Sequence, residues 1–379
     1  MIGGGTPDTM NDKYWGGDIK WFTPTEVGHQ KYISNSRRTI TVLGLEESSA
    51  KTLPANSVLL SSRATVGECS INTCQCATNQ GFQSLVPKTN QSSEFIYYLA
   101  LNLKRYFIKH ASGSTFLEIS NSEVRTTPCY VPDLTEQKRI SDFLSLLDLK
   151  IEKIQRLIDL LKSYKRGVSE AIFSQSHQLQ TQGVFKWSTY RFGDLGFFYN
   201  GLSGKSKEDF GKGCASYIPY MNVFSNPVAD DSFLGFVSIT KNERQNSVAY
   251  GDLLFTQSSE TLEEIGYSSV WLGKSEPFLN SFCFGFRFYD FDSVDPLYFA
   301  HYFRSSAIRN AIMREGQGAT RVNLSAERLK NMEVKLPVQT TQQYIGQQLQ
   351  KIQQLINCAH MQLTELLALK NGLLQQLFI

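Results

Sequence analysis

Between Ile140 and Ile172 the chain reads ISDFLSLLDLKIEKIQRLIDLLKSYKRGVSEAI. Ile140, Leu144, Leu147, Ile151, Ile154, Ile158, Leu161, Lys165, Val168 and Ile172 follow one another in alternating steps of four and three, and all but Lys165 are apolar. Such spacing keeps an apolar stripe on one side of a helix, the coiled-coil pattern. A second seam lies 205 residues on (345 − 140 = 205): Ile345, Leu349, Ile352, Ile356, Ala359, Leu363, Leu366, Lys370, Leu373 and Leu377. Even the polar position recurs, as Lys165 and Lys370. The chain therefore reads as a tandem repeat, each copy a globular domain followed by a long helix.

The repeat extends upstream of the helices. Gly113, Thr115 and Ser120 recur as Gly318, Thr320 and Ser325; Tyr97, Pro132 and Gln137 recur as Tyr302, Pro337 and Gln342. Residues 1–95 match 187–300 only loosely and with gaps. Two accounts stay open: two recognition surfaces with different targets on one frame, or drift after a duplication.

The first long helix is expected to follow Pro132, with Thr135 as its N-cap, and to run to about Ser174, with a polar linker over Gln175–Lys186. The second is expected from Thr340 or Thr341 to the C-terminus. Each is about 40 residues, or ~60 Å. Two apolar stripes of equal length bury each other only if the second helix runs back along the first. The expected pair is therefore antiparallel and pseudo-twofold, with a globular domain at each end. Duplex DNA has dyads of its own, and two-domain readers exploit that match. The expected class is α+β, divided as domain 1 over 1–134, helix and linker over 135–178, domain 2 over 179–338, and helix over 339–379. Ser57–Ser61 and Asp252–Thr256 read as strands, Phe95–His110 and Pro296–Glu315 as helices, and 113–115 and 318–320 as turns.

A length of 379 residues suffices for two cores. With 19% charged and 12% aromatic residues the composition is that of a folded chain. No apolar stretch approaches the roughly 20 residues of a membrane span, and the opening Met1-Ile2-Gly3-Gly4-Gly5 is neither a signal nor a transit peptide. Seven scattered cysteines (69, 74, 76, 129, 214, 283, 358) suit reduced thiols, so a cytoplasmic location is expected. Net charge is only +3, and residues 179–338 hold 16 basic against 17 acidic side chains, so any nucleic-acid surface there must be a local patch. Residues 339–379 carry eleven glutamines but only two basic residues and one acidic residue. Either a partner covers this nearly uncharged outer face, or the helix is exposed and glutamine-rich.

Catalytic motifs are missing. There is no Asn/Asp-Pro-Pro-aromatic tetrad for amino-methyl transfer and no G-x-G-x-x-G. Gly204-Lys205-Ser206 resembles the end of a phosphate-binding loop, but Tyr199 stands where that loop needs glycine, so a basic turn is the better reading. Cys69, Cys74 and Cys76 have no histidine or second cysteine pair at zinc spacing, so no metal is expected. His29, His110, His177, His301 and His360 form no cluster. Basic and amide side chains near loops are the candidate DNA contacts. These are Lys20, Lys31, Arg37, Arg38, Arg63 and Gln80 in the first domain, and Lys205, Lys207, Lys241, Arg244, Arg304, Arg309, Arg314 and Arg321 in the second. Arginine and lysine suit phosphates and guanine edges, glutamine suits adenine.

Gly4-Gly5-Thr6-Pro7-Asp8-Thr9 and Tyr14-Trp15-Gly16-Gly17-Asp18-Ile19-Lys20-Trp21 open the first domain. Leu60-Ser61-Ser62-Arg63-Ala64-Thr65-Val66-Gly67, Asn79-Gln80-Gly81-Phe82 and Gly113-Ser114-Thr115 follow. Pro132-Asp133-Leu134-Thr135-Glu136-Gln137-Lys138-Arg139-Ile140 leads into the helix. In this order, and over essentially the whole chain, the set resembles the specificity subunit of type I restriction–modification systems. The resemblance implies a bipartite DNA site, each half read by one domain, with the coil setting the gap. It implies no catalysis by this chain. It implies assembly with two modification subunits, which hold S-adenosylmethionine, and with motor-nuclease restriction subunits that use ATP and Mg. The second domain opens with Trp187, Tyr190, Arg191, Phe192, Gly193, Asp194 and Leu195, whose counterparts at the repeat offset would precede Met1. The first domain is therefore expected to be N-terminally shortened by a strand. Rival readings are a coiled-coil adaptor that binds proteins only, and a stand-alone DNA-modifying enzyme.

Overall fold

The computed structural model describes residues 1–113, 116–174, 187–318 and 320–378. The linker expected over Gln175–Lys186, His177 within it, and Ser114, Thr115 and Ala319 of the turns lie outside the described residues. The chain divides into two compact units, residues 1–155 with 361–379, and residues 156–360. Each unit therefore holds one mixed α and β domain and a portion of both long helices.

The long helices span Leu134–Phe173 and Gln339–Leu377. Thr135 is not the cap of the first. The Asp133 carboxylate takes that place, accepting from the Glu136 amide at 2.9 Å, and its negative charge suits the positive end of the helix. The second helix also begins ahead of Thr340 and Thr341, because the Val338 carbonyl already accepts from the Thr341 and Gln342 amides. In the first unit Lys370 Nζ lies 2.6 Å from Asp148 Oδ1, and Ile140 and Leu144 share a core with Leu373 and Leu374. Position falls on one helix as it rises on the other, so these segments are antiparallel. In the second unit Lys165 donates to Gln353 at 2.6 Å, while Val168, Ile172 and Phe173 join Ile345, Leu349 and Ile352; the sense is the same.

Every seam position of the first helix is buried or half-buried. In the second, Leu377 departs from the pattern at 36% exposed, because the buried stripe shifts to Leu374 and Phe378 where the helix meets its domain. Phe173 is the repeat equivalent of Phe378 (378 − 173 = 205). Phe173 lies edge-on to Tyr298 and Tyr302, 5.6 and 5.4 Å between ring centroids. Phe378 packs on Phe95 at 5.1 Å. Such aromatic pairs add about 0.5–1.5 kcal/mol beyond burial, and they dock each domain on the end of a helix.

A second device is shared by the two units. Gln137 and Gln342 are each 1% exposed. Gln137 accepts from the Ser92 amide at 3.0 Å and donates to the Pro132 carbonyl at 2.8 Å. Gln342 accepts from the Asp295 amide at 3.0 Å and donates to the Ser293 and Pro337 carbonyls at 3.0 and 2.9 Å. Each amide satisfies the backbone where a domain helix begins beside the long one.

The domain helices register by 203 rather than 205. Ser92 and Asp295 cap them (295 − 92 = 203). Tyr98 and His301 (301 − 98 = 203) bond the equivalent positions Ser145 and Gln350. The match of Tyr97 to Tyr302 is thus off by two. The single helix expected over Pro296–Glu315 is two, Pro296–Tyr302 and Ser306–Glu315. It breaks where the Ser305 hydroxyl takes the Tyr302 carbonyl and Arg304 turns to other carbonyls. The helix Ser93–His110 is continuous, and the two expected strands form at Val58–Leu60 and Leu253–Thr256.

The outer halves, so loosely matched in sequence, each hold a three-stranded sheet of the same arrangement. Trp15–Phe22 pairs antiparallel with Arg38–Ile40 and parallel with Cys76–Thr78. Phe210–Ile218 pairs antiparallel with Gly235–Val237 and parallel with Phe278–Leu279. Both antiparallel ladders slip: Ile40 faces Trp15 and Ile19, and Val237 faces Phe210 and Ala215. Gly16 and Gly211 stand in the bulges at φ of 79° and 78°, a region other residues enter only at a cost. The units differ at one edge. Trp187–Arg191 pairs with Glu333–Pro337, whereas 128–132, at the same offset, form no strand and leave Tyr130 81% exposed.

Candidate nucleic-acid interface

Loops beside the bulged sheet carry the first unit's exposed candidates. The Ser62 amide donates to the Gly81 carbonyl at 2.8 Å, joining the Arg63 loop to the Gln80 loop, and the Thr65 hydroxyl ties both to Pro24 at 3.2 Å. Arg63 is half-exposed, 3.7 Å from Glu118. Gln80 is exposed and accepts from the Thr6 hydroxyl. Arg37 and Arg38 are exposed; the Arg38 guanidinium lies 3.4 Å from the centre of the Trp15 ring, which aims and stiffens it. Lys20 is half-buried on the adjoining strand, opposite Thr39. Lys31 does not belong to this group. Its ammonium donates to Ser145 Oγ at 2.6 Å and to the Tyr98 hydroxyl at 3.2 Å, and burial lowers its pKa. It packs the domain on the helix.

In the second unit the basic turn is a fastener. Lys205 donates to the Ser238 carbonyl at 2.7 Å and pairs with Glu243, with only 4% of its side chain exposed. That bond holds the Glu243 carboxyl down at about 2. Gln245 bonds both backbone groups of Ser203. Residues 203–209 and 238–245 thus form one platform, which presents Lys207, Lys241 and Arg244 to solvent. The sequence reading missed Lys212, exposed on the bulge beside Gly211; the signal was Phe210-Gly211-Lys212, the counterpart of Trp15-Gly16-Gly17.

Two further arginines are structural. Arg304 donates from Nε to the Ser268 carbonyl and from Nη2 to those of Val223, Phe224 and Asn226, at 2.6–3.0 Å. Arg309 is 8% exposed, donates to the Glu263 carbonyl at 2.9 Å and stacks on Tyr267. Arg309 is buried and Arg304 half-buried, and backbone carbonyls hold both guanidinium groups. Arg314 and Arg321 are exposed. Arg321 edges a cavity of about 450 Å³ whose walls include Tyr220, Met221, Phe224 and Phe282, with Glu260 and Glu264.

The arrangement can bind a polyanion through loop cations and can contact base edges through guanidinium and amide groups. The Cys69 and Cys76 thiols are pushed up to about 12 by burial, so neither is a ready nucleophile. Among the described residues, no three His, Cys, Asp or Glu side chains are grouped to hold a metal, and no helix is long and apolar enough to cross a membrane.

A family model described as the type I restriction modification DNA specificity domain matches residues 1–163 and again 186–368. The chain belongs to this family. It is 28% identical over 289 residues to the type I restriction enzyme MjaIX specificity subunit of Methanocaldococcus jannaschii, covering 70% of this chain and 65% of that one. It is 30% identical over 172 residues to the HindI specificity subunit of Haemophilus influenzae (42% and 37%), and 25% identical over 183 residues to the EcoR124I/EcoR124II specificity subunit of Escherichia coli (45% and 45%). The matched stretches thus span less than two thirds of each of these relatives. The fold resembles the solved type I restriction–modification S subunit from M. genitalium, with a TM-score of 0.58 at 16% identity over 97% of this chain and 94% of that one. It also resembles a chain solved for complex assembly and conformational transition of the type I R-M system, with a TM-score of 0.57 at 15% identity over 99% and 94%. As the family model's two matches require, a type I specificity domain occurs twice in this chain, each copy with its own bulged sheet and long helix.

Proposed function

We propose that this chain is the DNA-reading and scaffolding subunit of a type I restriction–modification complex, with each domain reading one half of a bipartite site. The observation that carries the reading is the recurrence of one bulged sheet with cationic loops in both units, each packed on both long helices. The loops differ in chemistry: Arg38 on Trp15 with Arg63 and Gln80 in one, Lys207, Lys212, Lys241 and Arg244 in the other. Different loops on a common frame suit two different half-sites. The chain acts without catalysis of its own, a reading supported by the missing methyl-transfer and nucleotide motifs in its sequence. S-adenosylmethionine, ATP and Mg belong to its partners, which are two modification subunits and the motor-nuclease restriction subunits. The cell compartment is the cytoplasm.

Methylome sequencing of a host with and without this chain, alongside gel shifts at defined salt, tests the reading. The expected result is a two-part methylated motif that appears only with the chain. Exchanging the loops of one domain should then change one half of the motif. Methylation independent of the chain, or methyl transfer by the purified chain alone, overturns it.

A further inference from the structure

The repeat contains its own control for one unusual feature of the second unit. In the first unit the seam lysine Lys370 pairs with Asp148 at 2.6 Å, and the Tyr98 hydroxyl donates to the same carboxylate at 2.7 Å. In the second unit the equivalent seam lysine, Lys165, faces Gln353, the counterpart of Asp148 (353 − 148 = 205). The carboxylate has become a neutral amide. His301 stands in the place of Tyr98. It is 3% exposed, its Nε2 lies 3.2 Å from Gln350, and its Nδ1 has no hydrogen-bond partner among the described residues.

Charge is added here rather than removed. Lys165, Lys162, Arg166 and Arg304 line one cleft of about 390 Å³, with Glu170 the one acidic group in its wall. The counterparts of Lys162 and Arg166 on the second helix are Leu367 and Asn371, and that of Arg304 in the first domain is Leu101 (304 − 203 = 101). Among the described residues none of the four cations forms an ion pair. Arg304 is held rigidly by its four carbonyls. Ser305 and Ser306, at the start of the helix Ser306–Glu315, line the same cleft, so that helix end adds partial positive charge. Burial, with a smaller contribution from Arg304, lowers Lys165 to about 8. Burial, and then the nearby lysine, holds His301 neutral, with its pKa down at about 3. Lys162 and Arg166 are exposed, but Lys165 and Arg304 are partly buried, and a desolvated cation without an ion-pair partner is costly. A fixed guanidinium and an ammonium around one space form a receptor for an oxyanion.

We propose that this cleft binds a phosphate-class oxyanion, which gives Lys165 the negative partner that Asp148 gives Lys370. The anion is either free phosphate or a phosphate of a DNA backbone, and the site stands whether or not the loops read sequence.

The test is isothermal titration of the full chain with inorganic phosphate at constant ionic strength, with chloride as the control. Saturable binding is expected for the wild type and for Lys370→Gln. Lys165→Gln should weaken it at least tenfold. Gln353→Asp, which restores an internal carboxylate, should weaken it as much while raising the thermal midpoint in phosphate-free buffer. A second arm separates the sources. If the anion is a DNA phosphate, Gln353→Asp lowers the salt slope of duplex binding by about one; if it is free phosphate, the slope is unchanged. Phosphate binding no stronger than chloride, or wild-type affinity in a folded Gln353→Asp, overturns the proposal.

Discussion

The seam lysines show how one residue type at equivalent positions meets two fates. A polar seam position usually sets register at a cost in stability, but each of these lysines has a partner on the other helix. Lys370 has a native ion pair with Asp148, each side chain about one-fifth to one-quarter exposed. Lys370→Leu leaves that carboxylate without its cation, and the expected loss is about 1.5–3 kcal/mol by denaturant unfolding. Lys165→Leu removes a desolvated cation whose one hydrogen-bond partner is an amide, and should raise the midpoint in phosphate-free buffer. Equal losses from the two substitutions would mean that the partner is irrelevant.

Titration separates the two lysines further. Lys165 falls from 10.5 to about 8 on folding. Between those values the unfolded chain binds the proton that the folded chain has released. Stability therefore rises with pH through this window, and the penalty is fully present below pH 8. The gap in thermal midpoint between Lys165→Leu and wild type should narrow as pH rises from about 7 to about 10. A constant gap would contradict a desolvated Lys165.

Among the elements, the long helices owe their packing to more than the heptad stripe. Gln137 and Gln342 seal the backbone where each domain meets a helix, and Phe173 and Phe378 step off the seam into a domain core. Replacing Gln342 by leucine should cost about 1–3 kcal/mol, because the Asp295 amide and two carbonyls lose their partner in a buried site. The matched bulges make a second expectation. Gly211→Ala places a side chain at φ of 78° with nothing near to clash, so its cost is backbone strain alone, about 1–2 kcal/mol. Chemical denaturation of both variants measures these losses, and a silent Gly211→Ala would show that the bulge relaxes.

For the whole molecule, the repeat predicts a ruler. Removing one heptad from each long helix shortens each by about 10 Å, or ~3 base pairs at 3.4 Å each. A folded variant should direct methylation by its complex to a motif whose halves are closer by about that amount, read by methylome sequencing. Unchanged spacing would sever the helices from target geometry.

The tandem repeat, the two long helices and their antiparallel sense are legible in the chain's residues, because a 3.5-residue period and a constant offset are one-dimensional properties that survive translation into a fold. The family is legible there too, through an ordered set of short motifs. Exposed loop cations such as Arg63, Lys207 and Arg244 were legible as candidates. Tertiary structure alone decided which cations are free. Lys31, Lys205, Arg304 and Arg309 carry the same charge in the sequence, yet their partners are carbonyls, hydroxyls, ring faces or a carboxylate from residues distant along the chain. The shared bulged sheet was hidden for a related reason: hydrogen-bond register and glycine φ are kept while side chains change. The cationic cleft was hidden because its residues come from both long helices and three separate stretches of the second domain, brought together only by folding.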